Sequence, residues 1–129
     1  AEGSVWEGVM SASHYKLDNL CAVVDRNRLQ ISGSTEDVMH HDDLQARFEA
    51  FGWHVIQVNG HDYDALAASF EEAKHTKGQP TVLIANTVKG CGSAVMENKA
   101  GWHHHVPSQE EYEQILSDFT ARKEIALHE

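Results

Sequence analysis

Three short apolar runs, each set between helix-spaced patterns, constrain this 129-residue chain more than any other feature. They are Leu20-Cys21-Ala22-Val23-Val24, then Val55-Ile56 with Val58, then Thr81-Val82-Leu83-Ile84-Ala85. The first and third show no polar alternation, which predicts strands covered on both faces, as in a parallel sheet. Val5, Val9, Met10 and Ser13, with Trp6 beside them, predict a helix over about residues 4 to 16. Ser4 is its expected N-cap, with Glu7 completing a capping box. Leu44, Phe48 and Phe51 predict a short helix stopped by Gly52. Leu66, Ser69, Phe70 and Ala73 predict another, opened by Asp62 or Asp64. Tyr112, Ile115, Leu116 and Phe119 share one face of a last helix, capped by Ser108 with Glu111 three residues on. Residues 26–41 read as a polar loop turning at Ser32-Gly33-Ser34, and residues 88–106 as a long loop with one short helical piece. Strands alternating with helices imply an α/β architecture with parallel pairing and right-handed crossovers.

Composition narrows the function classes. Apolar residues make up 41% and charged residues 23%, as in a soluble globular domain. The formal charge of −10 argues against a protein that tracks nucleic-acid phosphates or docks on an anionic membrane. The stretch from Ala1 to Lys16 has neither the basic head nor the apolar core of a signal peptide. Two cysteines, Cys21 and Cys91, make no disulfide framework, so a reducing cytoplasm is expected. The chain starts at Ala1 without a Met and enters an amphipathic pattern almost at once, so it reads as beginning inside a domain.

In parallel sheets chemistry gathers at the carboxyl ends of the strands. The segments there are Asp25 to Gly33, Val58 to Tyr63, and Asn86 to His105. Asp25-Arg26-Asn27-Arg28-Leu29-Gln30-Ile31 can be an ordinary strand exit. Asn27 sharpens it, because an amide oxygen with main-chain carbonyls suits Mg²⁺ or Ca²⁺ carrying a phosphate. Such a site needs a carboxylate from elsewhere. On an extended backbone His103 and His105 face one way and His104 the other. Zinc could use that pair, but no partner Cys or Asp stands at ligand spacing, nor does one support His40-His41. Solvated loop histidines, or one that bonds an anionic substrate, are the other readings. Thr87-Val88-Lys89-Gly90-Cys91-Gly92 lacks P-loop spacing. Lys89 stands near Cys91, but no base accompanies the thiol. Glu2 and Glu7 suit the first turn of a helix, or a contact with a partner chain.

Taken in order, the segments resemble the thiamine-diphosphate-binding domain of transketolase. The matching stretches are Glu2-Gly3 with Trp6-Glu7, Tyr15 to Leu20, Asp25 to Gly33, Thr35 to Met39, Phe51 to Val55, Gly60-His61-Asp62, Thr87 to Gly90, Met96-Glu97-Asn98 and Gly101-Trp102-His103. The likeness covers nearly the whole chain and is closest to the N-terminal subunit of split transketolases. It implies a three-layer α/β sandwich with a mainly parallel sheet, incomplete here. Residues 1–129 would be the C-terminal part of the diphosphate-binding domain, beginning just after the family's Gly-Asp-Gly motif.

The resemblance also implies roles. Asn27 matches the side-chain metal ligand and Leu29 the carbonyl that completes the shell. Ile31 matches the apolar residue near the thiazolium ring, and Asp25 would orient the Asn27 amide. His103 matches a histidine near the diphosphate and the sugar donor, a catalytic position. Glu2 and Glu7 match acidic residues of the subunit interface. The family's Gly after the histidine is His104 here, which puts the local backbone in question. The implied cofactors are thiamine diphosphate and Mg²⁺ (or Ca²⁺). The implied activity is ketol transfer between sugar phosphates in the pentose phosphate pathway. The implied partner is a pyrimidine-binding domain or subunit, within a homo-oligomer. The isolated chain is expected to be inactive. Deoxyxylulose-phosphate synthase, dihydroxyacetone synthase and a ligand-free assembly module are the competing readings.

Overall fold

The computed structural model describes residues 2–41 and 43–126. Three parallel strands organise the larger of its two compact units, which joins Ala1–Arg26 to Met39–Thr87. They are β1 (Cys21–Arg26), β4 (His54–Asn59) and β5 (Thr81–Asn86), in the order β1-β5-β4. Leu83 pairs with Val23 on one side and Ile56 on the other. The run Thr81–Ala85 is buried throughout, with Val82 and Leu83 fully so. Only this central strand meets the expectation of cover on both faces. β1 lies at an edge of the described sheet, and its Val23 is 52% exposed, against the sequence reading.

α1 (Gly3–His14), α3 (Leu44–Ala50) and α4 (Tyr63–His75) belong to this unit. α1 places Val9 and Ala12 in a core with Phe48, Trp53 and Val82. The Trp53 indole Nε1 donates to the Val9 carbonyl at 2.9 Å, so the ring fills the core without stranding its polar atom. Trp6 and Phe48 lie 5.5 Å apart between ring centres, and Phe48 and Trp53 5.6 Å. α3 ends where expected: Gly52 takes φ +82°, a conformation that glycine adopts without strain. Asp43 caps α3 and Asp62 caps α4, each accepting from a backbone N–H three residues on.

Two helix expectations are corrected. α1 begins at Gly3, with Glu2 at the N-cap position and no side-chain capping bond, so Ser4 lies inside the helix. On α4 the core face carries Ser69 and Ala73, while Phe70 is 41% exposed.

The second unit joins Asn27–Val38 to Val88–Glu129. Its first segment is not a plain loop. β2 (Leu29–Gln30) and β3 (Gly33–Ser34) form a hairpin with Ile31-Ser32 at the tip, followed by α2 (Thr35–Val38). Strands this short carry no readable periodicity. The long loop holds one 3-10 turn, Ala100–His103, and α5 (Gln109–Ala126) closes the unit. The capping box at α5 forms as expected: Glu111 N–H donates to Ser108 Oγ at 3.2 Å, and Ser108 N–H to the Glu111 carboxylate at 2.8 Å. Of the apolar face predicted for α5, only Ile115 is buried; Tyr112, Leu116 and Phe119 are about half exposed.

Candidate functional site

The hairpin is built around an open pair of residues. Gln30 pairs with Gly33 and Leu29 with Ser34, while Thr35 N–H donates to the Arg28 carbonyl at 2.9 Å. Antiparallel ladders alternate bonded and open pairs. Arg28–Thr35 and Gln30–Gly33 are therefore the bonded pairs, and Leu29–Ser34 is the open one. The Leu29 N–H turns outward instead and donates to Asn27 Oδ1 at 2.9 Å. Within one strand residue the N–H and C=O point the same way, so the Leu29 carbonyl emerges on the edge that carries the Asn27 amide. Arg28, between them, takes φ +64°, which makes this tight reversal possible.

Two neutral oxygens on one edge suit a hard divalent cation. Asn27 Oδ1 keeps a lone pair after accepting from Leu29. Among the described residues no group of three or more His, Cys, Asp and Glu converges on a metal position. Ile31, at the hairpin tip, is 63% exposed and offers an apolar surface.

The 3-10 turn that ends in His103 packs against β2. It corrects the extended backbone expected for His103 to His105. The His103 ring meets that of His104 edge to face at 4.5 Å, and the His105 ring meets Trp102 in the same way. His105 Nε2 lies 2.8 Å from the Glu111 carboxylate. That contact, ahead of the Ser108 N–H, holds the Glu111 carboxyl below its ordinary range. His104 has φ −123°, so the position that the family fills with glycine needs no left-handed residue here.

The remaining predicted residues lie in the sheet unit. The Asp25 carboxylate, at the carboxyl end of β1, accepts a hydrogen bond from the Thr87 hydroxyl. Gly60 lies under the same strand ends. A Cβ there would strike the Thr87 methyl and lie 3.2 Å from Ala85 Cβ, so the close approach requires glycine. Glu2 and Glu7 are exposed at the start of α1. Cys21 and Cys91 are free thiols.

Sequence reasoning missed two amides. Gln30 Oε1 and Asn86 Oδ1 are buried with no hydrogen-bond partner. An amide at a strand end looks like any polar loop residue, so only its burial could mark it. No helix among the described residues is long and apolar enough to cross a membrane.

Comparison with known proteins agrees with this layout. Residues 1–124 match the family described as transketolase, thiamine diphosphate binding domain. The apulose-4-phosphate transketolase subunit of Phocaeicola vulgatus is 45% identical over 123 residues, covering 95% of this chain and 44% of that protein. Human transketolase is 46% identical over 118 residues, covering 92% of this chain and 18% of the human protein. The chain thus spans less than half the length of these relatives. Among solved structures, transketolase from Campylobacter jejuni superposes with a TM-score of 0.85 at 28% identity, covering 92% of this chain and 18% of the other. The α/β fold with its parallel sheet is that of the transketolases, and the chain belongs to the transketolase thiamine diphosphate binding domain family.

Proposed function

We propose that this chain is part of a transketolase that moves a two-carbon ketol unit between sugar phosphates, using thiamine diphosphate and Mg²⁺, with Ca²⁺ an alternative ion. The observation that carries the reading is the open pair of the hairpin, which turns the Asn27 amide oxygen and the Leu29 carbonyl to one edge. Thiamine diphosphate, when bound, supplies the carbanion chemistry, and the protein supplies binding and electrostatics. Asn27 and Leu29 give two oxygens to the ion on the diphosphate, and a carboxylate from outside the described residues adds to them. Ile31 lays its apolar side chain near the thiazolium ring. Asp25, fixed by Thr87, belongs to the cofactor-binding set as a support for the metal arm rather than a ligand. His103, exposed at the end of its turn, donates a hydrogen bond to the diphosphate or to an oxyanion as charge develops.

The chain acts with a pyrimidine-binding domain or subunit, in a homo-oligomer whose interface takes Glu2 and Glu7, and in the cytoplasm. Several relatives are named as subunits of transketolases, including the 6-deoxy-6-sulfo-D-fructose transketolase subunit of a Clostridium species, 34% identical over 117 residues. The subunit names support a partner, and the apulose 4-phosphate in one of them supports a sugar-phosphate substrate. Alone, the chain does not turn over substrate.

Calorimetric titration of thiamine diphosphate and Mg²⁺ into the assembled protein tests the reading. Asn27→Ala is expected to weaken ion-dependent binding by at least about 10- to 100-fold. Leu29→Ala keeps its carbonyl and is expected to bind within about threefold of the unaltered protein. Equal, ion-independent affinities in all three would refute the assignment.

A further inference from the structure

An exposed side chain that donates to a ligand gives up rotamer freedom when it does so, so a contact that fixes it beforehand counts toward binding and rate. His103 is such a side chain: it ends the 3-10 turn packed against β2, and it faces solvent. Among the described residues its imidazole has no hydrogen-bond or ion-pair partner. What it meets is the His104 ring, edge to face, with 83° between the planes and 4.5 Å between the centres. That arrangement sets the positive edge of one ring against the negative face of the other.

The residues around this pair are engaged elsewhere. His105 contacts the Glu111 carboxylate and packs on the Trp102 ring, and the Trp102 N–H donates to the Lys99 carbonyl at 3.2 Å. The segment is therefore tied down on both sides of His104. The His104 backbone, at φ −123° and ψ 5°, asks for no particular side chain. Its imidazole too has no hydrogen-bond or ion-pair partner among the described residues, so the contact with His103 is what its ring provides. The glycine that the resemblance implies at this position would provide none.

We infer that His104 is a positioning residue, whose ring braces the His103 ring for the ligand. The inference rests on the reading of His103 given above. His104 acts through His103 and not on the ligand itself, and the brace is in place before the ligand arrives.

Two quantities test this in the assembled enzyme: calorimetric affinity for thiamine diphosphate with Mg²⁺, and kcat/KM for ketol transfer from xylulose 5-phosphate. His104→Ala is expected to lose about 3- to 10-fold in whichever of them His103→Ala lowers. His104→Phe keeps a ring but no N–H, and is expected to stay within about twofold of the unaltered enzyme. Adding His104→Ala to His103→Ala is expected to cost nothing further, because the residue it braces is gone. In crystals of the ligand-free enzyme, His103 is expected in one rotamer in the unaltered and His104→Phe proteins and spread over several in His104→Ala. A Phe variant as impaired as the Ala variant overturns the inference, as do losses that add in the double variant or a single unchanged His103 rotamer in His104→Ala. If His103→Ala lowers neither quantity, the reading of His103 fails and this one with it. If His103→Ala lowers one and His104→Ala lowers neither, this one fails alone.

Discussion

The sheet unit and the hairpin unit hold themselves together by different means. In the first, Val82 and Leu83 are fully buried, and Trp53, Phe48 and Val9 pack with Val82 in a core whose aromatic ring centres lie 5.5 and 5.6 Å apart. In the second, the buried described residues are Gly92, Ser93 and Ile115. Polar bonds take over there: the Asp118 carboxylate accepts from Ser93 Oγ at 2.8 Å, from Ala94 N–H at 3.0 Å and from Gln114 at 2.9 Å. Those bonds hold the Asp118 carboxyl below its ordinary range, Gln114 foremost. Asn27, Leu29, Ile31 and His103 all belong to this second unit. Apolar burial gives the larger stabilisation per residue, so the difference separates where the fold is secured from where the residues proposed to hold the cofactor lie.

The largest expected effect probes the sheet unit. Leu83 has no exposed surface and faces both neighbouring strands, so Leu83→Ala removes buried methyl groups and leaves a cavity. The loss expected is about 3 kcal/mol, read as a lower urea midpoint at unchanged slope. An exposed apolar residue of the other unit gives the contrast. Ile31→Ala is expected to cost less than about 1 kcal/mol, since little of that side chain leaves water on folding. Comparable losses from the two substitutions would break the distinction drawn between the units.

The same contrast explains what could be read in the sequence. Thr81–Ala85, Leu44 with Phe48, and the Ser108–Glu111 box were legible because burial and capping leave patterns in residue type. The hairpin was not, because Leu29–Gln30 and Gly33–Ser34 are too short to show a period. The helical stripe misplaced Phe70 and Tyr112 because periodicity marks a face and not what covers it. The roles of Asn27 and Leu29 came from resemblance. The geometry adds the open ladder pair behind them, which depends on register and has no signature in residue type.

A second test sharpens the comparison at Arg28. Its φ of +64° is open to glycine and strained for a β-branched side chain. Arg28→Val is expected to cost about 1–2 kcal/mol locally, and Arg28→Gly less than about 0.5 kcal/mol, since relief of strain offsets the added chain entropy. The readout is amide exchange at Leu29, whose N–H is protected by Asn27 Oδ1. Faster exchange there at unchanged global stability is expected for the Val variant. Equal exchange in both variants would mean that the left-handed turn is not what sets the Asn27 contact.

The smallest effect lies at the start of α5. The Glu111 side chain is partly exposed, and its carboxyl is held below the ordinary value of 4.5 by the His105 contact first and by the Ser108 N–H next. A carboxylate depressed in the folded state binds its proton less readily there than in the unfolded chain, so folding is favoured while it is ionised. The contribution is therefore complete above about pH 4.5 and is lost as the pH falls through the lower folded value. Exchange protection of the Ser108 N–H should decline over that acid window in the unaltered protein. Glu111→Gln keeps an acceptor for the capping box and has no proton to gain, so its protection should stay flat across the same window. A decline of equal size in both would place the acid sensitivity elsewhere. A flat profile in both would show that a solvent-facing pair contributes nothing measurable. Either result would leave the hairpin unit resting on the bonds that the Asp118 carboxylate accepts around buried Ser93, rather than on its helix start.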